Sequence, residues 1–308
     1  MDAFDTFQIY PVRFTCMAKD KLRMPTFWGS ALHGIFGTAL RSIHCTTKKT
    51  DCKTCPLKHT CKFALIFKPF IPEDHAHAGK YTNAPAGVIV QKPLSEDNRI
   101  RPGETFTFNM VFFGEAIRFL PDVIEAWEYA GGLGLGTERV KFEILGCHTN
   151  ADGNGNWKLL FPGKEAAVLT SKQLVEQTTL SEKITLQFLT PFHLKESKVT
   201  THPPGSALLL SRLHHRLSLL NHFYCGGVLP DENNLPPDEV SVDYFLRKYR
   251  FARHPEYMEK GMALTGRIGK VQITGKLTPW HTLLVLGQWV HIGKMASFGL
   301  GQYTLSNG

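Results

Sequence analysis

Apolar positions along this chain recur at two spacings, and the change from one to the other marks where elements begin. Phe7, Ile9, Val12 and Phe14 alternate loosely and predict an opening strand over Phe7 to Thr15, with Pro11 suited to an edge or a bulge. From Phe27 to Ile43 the period lengthens. Trp28, Leu32, Ile35, Phe36, Ala39, Leu40 and Ile43 fall at steps of three and four, the stripe of a core-facing helix. Ser30, His33, Gly37, Arg41 and His44 make the opposite stripe, which is expected to face solvent and carries two histidines and an arginine. Residues 71–103 are rich in Pro, Gly, Asn and Asp and read as a long excursion around a short strand at Val88 to Val90. Regularity returns as a strand at Thr105 to Phe113, a helix at Ala116 to Ala130 and a strand at Arg139 to Leu145.

The second half repeats that order. After a hairpin tip and linker, with Asn150 to Asn156 as its turn-rich part, come a strand at Ile184 to Leu189 and a helix at about Gly205 to Tyr224. That helix turns Leu209, Leu213, Leu217 and Leu220 inward and leaves Arg212, His214, His215 and Arg216 as a wet face. Strands at Val240 to Arg250 and Leu264 to Leu277 follow, then a last helix with Pro279 at its start, where a missing N–H costs nothing.

Each half also ends alike. Leu133-Gly-Leu-Gly-Thr-Glu-Arg-Val140 aligns with Phe298-Gly-Leu-Gly-Gln-Tyr-Thr-Leu305 with Gly-Leu-Gly in register, and each follows a strand-like run and an apolar helix. The chain is therefore expected to be two copies of one α+β design: a domain over 1–150, a linker or hairpin over 151–180 and a domain over 181–308. Neither loop is a nucleotide motif, because the first lacks a Gly-Lys-Ser/Thr ending and both lead into a strand. Glycines without Cβ let backbone N–H groups approach an anion such as an RNA phosphate; the plain alternative is a tight helix-to-strand turn.

Charge narrows the partner. Lys and Arg number 35 against 27 Asp and Glu, a net charge of +8, which favours a polyanion. The acidic Met-Asp-Ala-Phe-Asp start is unlike a secretory signal, and no run nears the ~18 apolar residues of a membrane span, so the expectation is a soluble cytoplasmic protein with no membrane partner. Of seven cysteines, four crowd together as Cys45-x6-Cys52-x2-Cys55-Pro56-x5-Cys61. In a reducing compartment this spacing suits one tetrahedral ion held by four thiolates, a structural zinc or alternatively an iron–sulfur cluster. Four thiols leave no open position for catalysis. Lys48 and Lys49, with Lys53, Lys58 and Lys62, make the same segment a basic loop fit for an RNA backbone. Tyr244, Arg247, Lys248, Tyr249 and Arg250 interleave aromatics with charge, as a surface that stacks bases and neutralises phosphates would.

Several strings now combine. Gly29-x-Ala-Leu-x-Gly-x-Phe-Gly37, the cysteine cluster with Cys55-Pro-Leu57, Gly103-Glu-x-x-x-Phe108, Ala130-Gly-Gly-Leu-Gly-x-Gly136, Thr190-Pro191 and His291-x-Gly-Lys-x-x-Ser-Phe-Gly-Leu-Gly-x-Tyr303 span nearly the whole chain. Together they resemble the CRISPR-associated precursor-RNA processing endoribonucleases, the Cas six family of the RAMP superfamily, in a branch marked by four cysteines. The resemblance implies two tandem ferredoxin-like domains, with the cysteine segment 45–61 as an insertion in the first. It also implies cleavage inside each CRISPR repeat without a catalytic metal. The 2′-OH attacks the scissile phosphate, leaving a 2′,3′-cyclic phosphate and a 5′-OH, and the mature crRNA passes to a CRISPR effector complex. A histidine on or near the first helix commonly serves such enzymes as general base. That implies His33, then His44, with Arg41 between them for the phosphate. The terminal loop, through Gly293, Lys294, Ser297, Gly299 and Gly301, is implied to hold RNA, with Lys294 on the backbone and His291 chiefly structural. Two rivals share these features: a RAMP subunit that binds crRNA without cutting, and a zinc-stabilised RNA-binding protein outside CRISPR.

Overall fold

The computed structural model describes residues 3–25, 27–48, 51–73, 75, 83–92, 98–150, 152–160, 165–194, 206–228, 235, 239–251 and 264–308. The chain divides into two compact units. One is Ile9–Val168 with Phe223–Cys225; the other is Leu169–His222 and Gly226–Gly308 with the opening residues through Gln8. The division thus falls at Val168 and Leu169, inside the stretch expected to be a linker, where Trp157–Leu159 and Leu169–Thr170 are strands and Ser171–Glu176 is a helix.

The first unit contains β1 (Gln8–Ala18), β2 (Leu22–Arg23), α1 (Trp28–His44), α2 (Lys62–Phe67), β3 (Val88–Gln91), β4 (Arg99–Ile100), β5 (Thr105–Phe113), α3 (Leu120–Leu133), β6 (Phe142–Asn150) and β7 (Trp157–Leu159). Its main sheet is ordered β3-β5-β1-β6-β7, antiparallel at each pairing. Inward positions of β1 and β5 meet α1 and α3 in an aromatic core. Trp127 packs at 4.3 Å from Phe108 and 5.2 Å from Phe36, between ring centroids, and its Nε1–H points at Met110 Sδ, 3.0 Å away. Burying side chains of this size contributes about 1.5–3 kcal/mol each. The helix expected from Ala116 starts as a 3-10 turn at Gly114–Phe119 and becomes α-helical only at Leu120, with Pro121 in its first turn. Proline is tolerated in a first turn, where its missing N–H would have no intrahelical partner.

The second unit adds β8 (Leu169–Thr170), α4 (Ser171–Glu176), β9 (Lys183–Phe188), α5 (Ser206–Cys225), β10 (Val240–Phe251), β11 (Leu264–Gly275), α6 (His281–Val290) and β12 (Tyr303–Asn307). Its sheet is ordered β10-β11-β9-β12. In both units the main elements run strand, helix, strand, strand, helix, strand, with the third strand beside the first and the fourth on the first strand's other side. This is the ferredoxin-like arrangement, present twice, as the repeated pattern and the resemblance implied. The last helix and last strand are locked together by Gly287, where a Cβ would come within 1.9 Å of Tyr303 Oη, and that hydroxyl donates to Leu284 O at 2.8 Å.

Candidate nucleic-acid interface

The terminal glycine loop connects α6 to β12, and besides its internal bonds it is bonded to one neighbouring segment. Thr190 Oγ1 donates to Gly299 O (2.8 Å) and accepts from Gln302 N–H (2.9 Å), while Gly301 N–H donates to Pro191 O (2.9 Å). Lys294 N–H donates to His193 O at 2.9 Å, and a Cβ on Gly293 would stand 2.5 Å from that same carbonyl oxygen. Thr190-Pro191 is thus the dock of the loop. Gly293, Met295, Gly299 and Gly301 take φ of 89°, 60°, 85° and 71°, the left-handed region in which glycine is unstrained.

Glycines expected to contact RNA separate into two groups here. Gly299 and Gly301 are buried, and their N–H groups donate to Ala296 O and Pro191 O, so they shape the loop. Gly293 and Ser297 are half-buried, and Lys294 is exposed. His291 is fully buried at the loop's entry with φ 60°. Burial pushes its pKa down to about 3; the Arg216 charge adds to this, and a hydrogen bond with the Leu300 backbone opposes it.

The same docking segment touches the β10–β11 ribbon. Phe192 and Arg267 exchange both backbone hydrogen bonds at 2.9 Å, and His193 Nδ1 lies 2.9 Å from Thr265 O. The ribbon is longer than the sheet. β10 and β11 pair from Val240↔Gly275 to Phe251↔Leu264, but β9 accompanies β11 only over Lys270 to Thr274. Beyond the sheet the register places Arg247 opposite Ile268, Lys248 opposite Arg267 and Arg250 opposite Thr265, and Arg247, Lys248 and Arg250 are exposed. Apolar Val271 and Ile273 on the covered length give way to charge on the free length. Backbone bonds therefore join Lys294, His193, Arg267 and Lys248 in one basic surface. His193 and Arg267 were not singled out from the sequence. Only Thr190-Pro191, two residues upstream, carried a signal.

The first helix differs from expectation in one respect. Its fully exposed positions are Gly34, Thr38 and Ser42, whereas His33 and Gly37 are buried. The cause is α2, too short to show periodicity in sequence. Phe67 lies across α1, its ring centroid 4.3 Å from that of His33, and a Cβ on Gly37 would be 2.4 Å from Phe67 Cζ. Arg41 is half-buried with its guanidinium 5.9 Å from the Phe63 ring centroid. His44 Nε2 is buried without a hydrogen-bond partner, 3.7 Å from Asp122 Oδ1, which is itself held by Lys62 Nζ at 2.5 Å. Asp122 was not read from the sequence, and Lys62, expected on a basic loop for RNA, is engaged with it instead.

Cys45, Cys52, Cys55 and Cys61 line one small cavity, and none of the four is in a disulfide. The tight turn of the Cys-x2-Cys step is closed by Cys55 N–H donating to Cys52 O at 3.2 Å. Burial pushes the Cys52 thiol pKa up; Arg41 opposes this, and Cys45 and Cys61 add to it. Four thiols around one cavity fit the donor set of a tetrahedral ion. Among the described residues the one donor trio within 4.8 Å of one another is His44, Asp122 and Glu125. Lys48 is exposed and Lys58 pairs with Glu73 at 3.2 Å, while Lys49 lies outside the described residues.

Comparison with known proteins agrees with this architecture. Residues 7–174 match the AF_1859_N N-terminal domain, and residues 186–303 match the CRISPR-associated endoribonuclease Cas6. The chain belongs to the AF_1859_N family through its first half and carries a Cas6 domain as its second. An uncharacterized protein of Archaeoglobus fulgidus is 23% identical over 286 residues, 92% of each chain. Among solved structures, a Cas6 product complex superposes with a TM-score of 0.57 at 14% identity, over 97% of this chain and 99% of that one. Thermus thermophilus Cas6 superposes with a TM-score of 0.51 at 13% identity, over 97% and 99%. At these identities the likeness establishes the shared fold. Among the described residues no helix is long and apolar enough to cross a membrane.

Proposed function

We propose that this chain is a CRISPR repeat-RNA endoribonuclease that holds precursor crRNA on its C-terminal unit and cleaves it within the repeat. The observation that carries the reading is the basic surface formed by Lys294, His193, Arg267 and the free length of the β10–β11 ribbon. It lies within the residues that match Cas6. Lys294, Arg247, Lys248 and Arg250 would neutralise phosphates of a single strand, and Gly293 and Ser297 would let the backbone approach. Lys48 and Lys49 would add a second basic contact. In the reaction the 2′-oxygen forms a bond to phosphorus as its proton leaves to a base, the bond from phosphorus to the 5′-oxygen breaks, and that oxygen takes up a proton. The products are a 2′,3′-cyclic phosphate and a 5′-OH, no metal is required, and the crRNA passes to a CRISPR effector complex in the cytoplasm.

His33, His44 and Arg41 are the candidates for that chemistry on α1. His44 is favoured over His33, because Asp122 stands 3.7 Å from its ring and can orient it, whereas Phe67 covers His33. The burial of His33 and of His44 Nε2 also supports a second reading, a RAMP subunit that binds crRNA without cutting it. The deciding experiment incubates purified protein and excess chelator with host repeat RNA, beside the same RNA carrying one 2′-deoxy sugar at the cut site. Cutting of the all-ribose strand alone supports the nuclease, and alanine at His33 and at His44 then assigns the base. Tight binding of both strands with neither cut supports the subunit.

For the cysteine cluster we propose a structural zinc held by Cys45, Cys52, Cys55 and Cys61, which would pin the end of α1 to the start of α2. Metal analysis of purified protein should find about one zinc per chain and little iron. Iron with inorganic sulfide would instead assign an iron–sulfur cluster.

A further inference from the structure

The imidazole at the junction of loop and ribbon is fixed in one tautomer. A carbonyl oxygen can only accept, so the 2.9 Å contact of His193 Nδ1 with Thr265 O requires Nδ1 to carry the hydrogen. In the neutral ring Nε2 is then a pure acceptor, and it has no protein partner among the described residues. The ring is half-buried, held from two sides. Its own carbonyl accepts from Lys294 N–H, and the preceding Phe192 is bridged to Arg267. Phe192 is itself buried, stacked at 4.1 Å on Phe188, so the segment is anchored to the core.

Surrounding cations and this lone pair ask for different partners. Lys294, Arg267 and Lys248 match phosphate oxygens, which accept hydrogen bonds. A neutral imidazole acceptor has nothing to offer a phosphate, which lacks a hydrogen to donate. What it matches is a donor within a nucleotide's reach of the phosphates, and the ribose 2′-OH is the donor that every RNA residue carries and DNA lacks. We infer that His193 accepts a hydrogen bond from a ribose 2′-hydroxyl of the strand lying on the loop and ribbon, so that this junction selects RNA over DNA. The inference rests on the RNA-binding reading above and adds to it the group read and the atom that reads it.

The test measures binding of the full chain by fluorescence anisotropy at pH 8. The probes are host repeat RNA blocked by one 2′-deoxy sugar at the cut site and the all-deoxy strand of the same sequence. The wild type should prefer RNA. His193→Ala should weaken RNA binding about tenfold and DNA binding less than twofold. His193→Gln, which keeps an amide carbonyl as acceptor, should recover part of the preference. Lys294→Ala serves as the reference, lowering affinity for both strands alike. An unchanged RNA-to-DNA ratio in His193→Ala overturns the inference, as does an equal fall on both strands, which would mark a structural role. Equal wild-type affinity for RNA and DNA overturns it while leaving the nucleic-acid surface in place. A wild type that binds neither strand sinks the RNA-binding reading itself.

Discussion

The two Gly-Leu-Gly loops share a sequence string and a place in the repeat, yet they close in different ways. The first closes on itself: Leu135 and Val140 exchange backbone hydrogen bonds at 2.8 and 2.9 Å, and Arg139 N–H donates to Gly136 O at 3.3 Å. The terminal loop also closes locally, with Ile292 N–H donating to Gly301 O at 3.0 Å, but it is bonded as well to the segment at Thr190 to His193. That segment in turn pairs with the basic ribbon. The motif itself makes a turn; a recognition surface arises only where a second chain segment brings cations beside it.

The strongest way to break this comparison is to remove the turns. Gly134→Ala would put a Cβ 2.1 Å from Arg139 O, and Gly301→Ala would put one 1.9 Å from Ile292 O, both at positive φ. Each should cost about 3 kcal/mol of stability by urea denaturation, because backbone atoms cannot yield as a flexible side chain can. If either variant were as stable as the wild type, the turn geometry assigned to that loop would be wrong.

Acid should separate the loops next. A pKa of about 3 for folded His291 lies below the ordinary value of 6.5, so the unfolded chain binds the proton more readily. Stability from keeping this ring neutral is fully present above about pH 6.5 and is lost as pH falls toward 3, by up to about 1.4 kcal/mol per pH unit. His291→Leu should flatten that part of the pH–stability curve. An equally steep curve in the variant would place the acid sensitivity elsewhere.

Smaller effects sharpen the comparison on the RNA side. Lys294→Ala should weaken repeat-RNA binding and lower the slope of log affinity against log salt by roughly 0.7 to 1, whereas Arg139→Ala, at the exposed tip of the first loop, should change neither. Equal losses from both would mean that each loop holds RNA. Weaker still, Arg250→Ala on the free length of the ribbon should reduce affinity a fewfold with no change in the melting temperature, since its side chain is exposed.

Much of the scaffold was legible because periodicity records which face of an element is buried. Trp28, Leu32, Phe36, Ala39 and Leu40 are all core residues of α1, and Leu209, Leu213, Leu217 and Leu220 are all buried on α5. The duplicated order of strands and helices also followed from the repeated pattern, and with it the α+β class. The polar stripe of α1 was legible only in part. A helical wheel shows which residues share a face, but not that a six-residue helix following the cysteine cluster will lay Phe67 over that face. Lys62 was legible as one of a run of lysines, but its pairing with Asp122, 60 residues away, is announced by no local pattern.

What the sequence determined by itself was everything that local physics can specify: the strands and helices, the left-handed turns that require glycine, the clustering of four thiols, and the excess of positive charge. Tertiary structure decided which of these features became neighbours. It set His193 against Thr265, joined Phe192 to Arg267, and carried the ribbon past the end of β9, so that Lys248 and Arg250 lie on the length that β9 does not accompany. Hydrogen bonds between strands tie together residues far apart along the chain, and only closure of the sheet brings them to bonding distance.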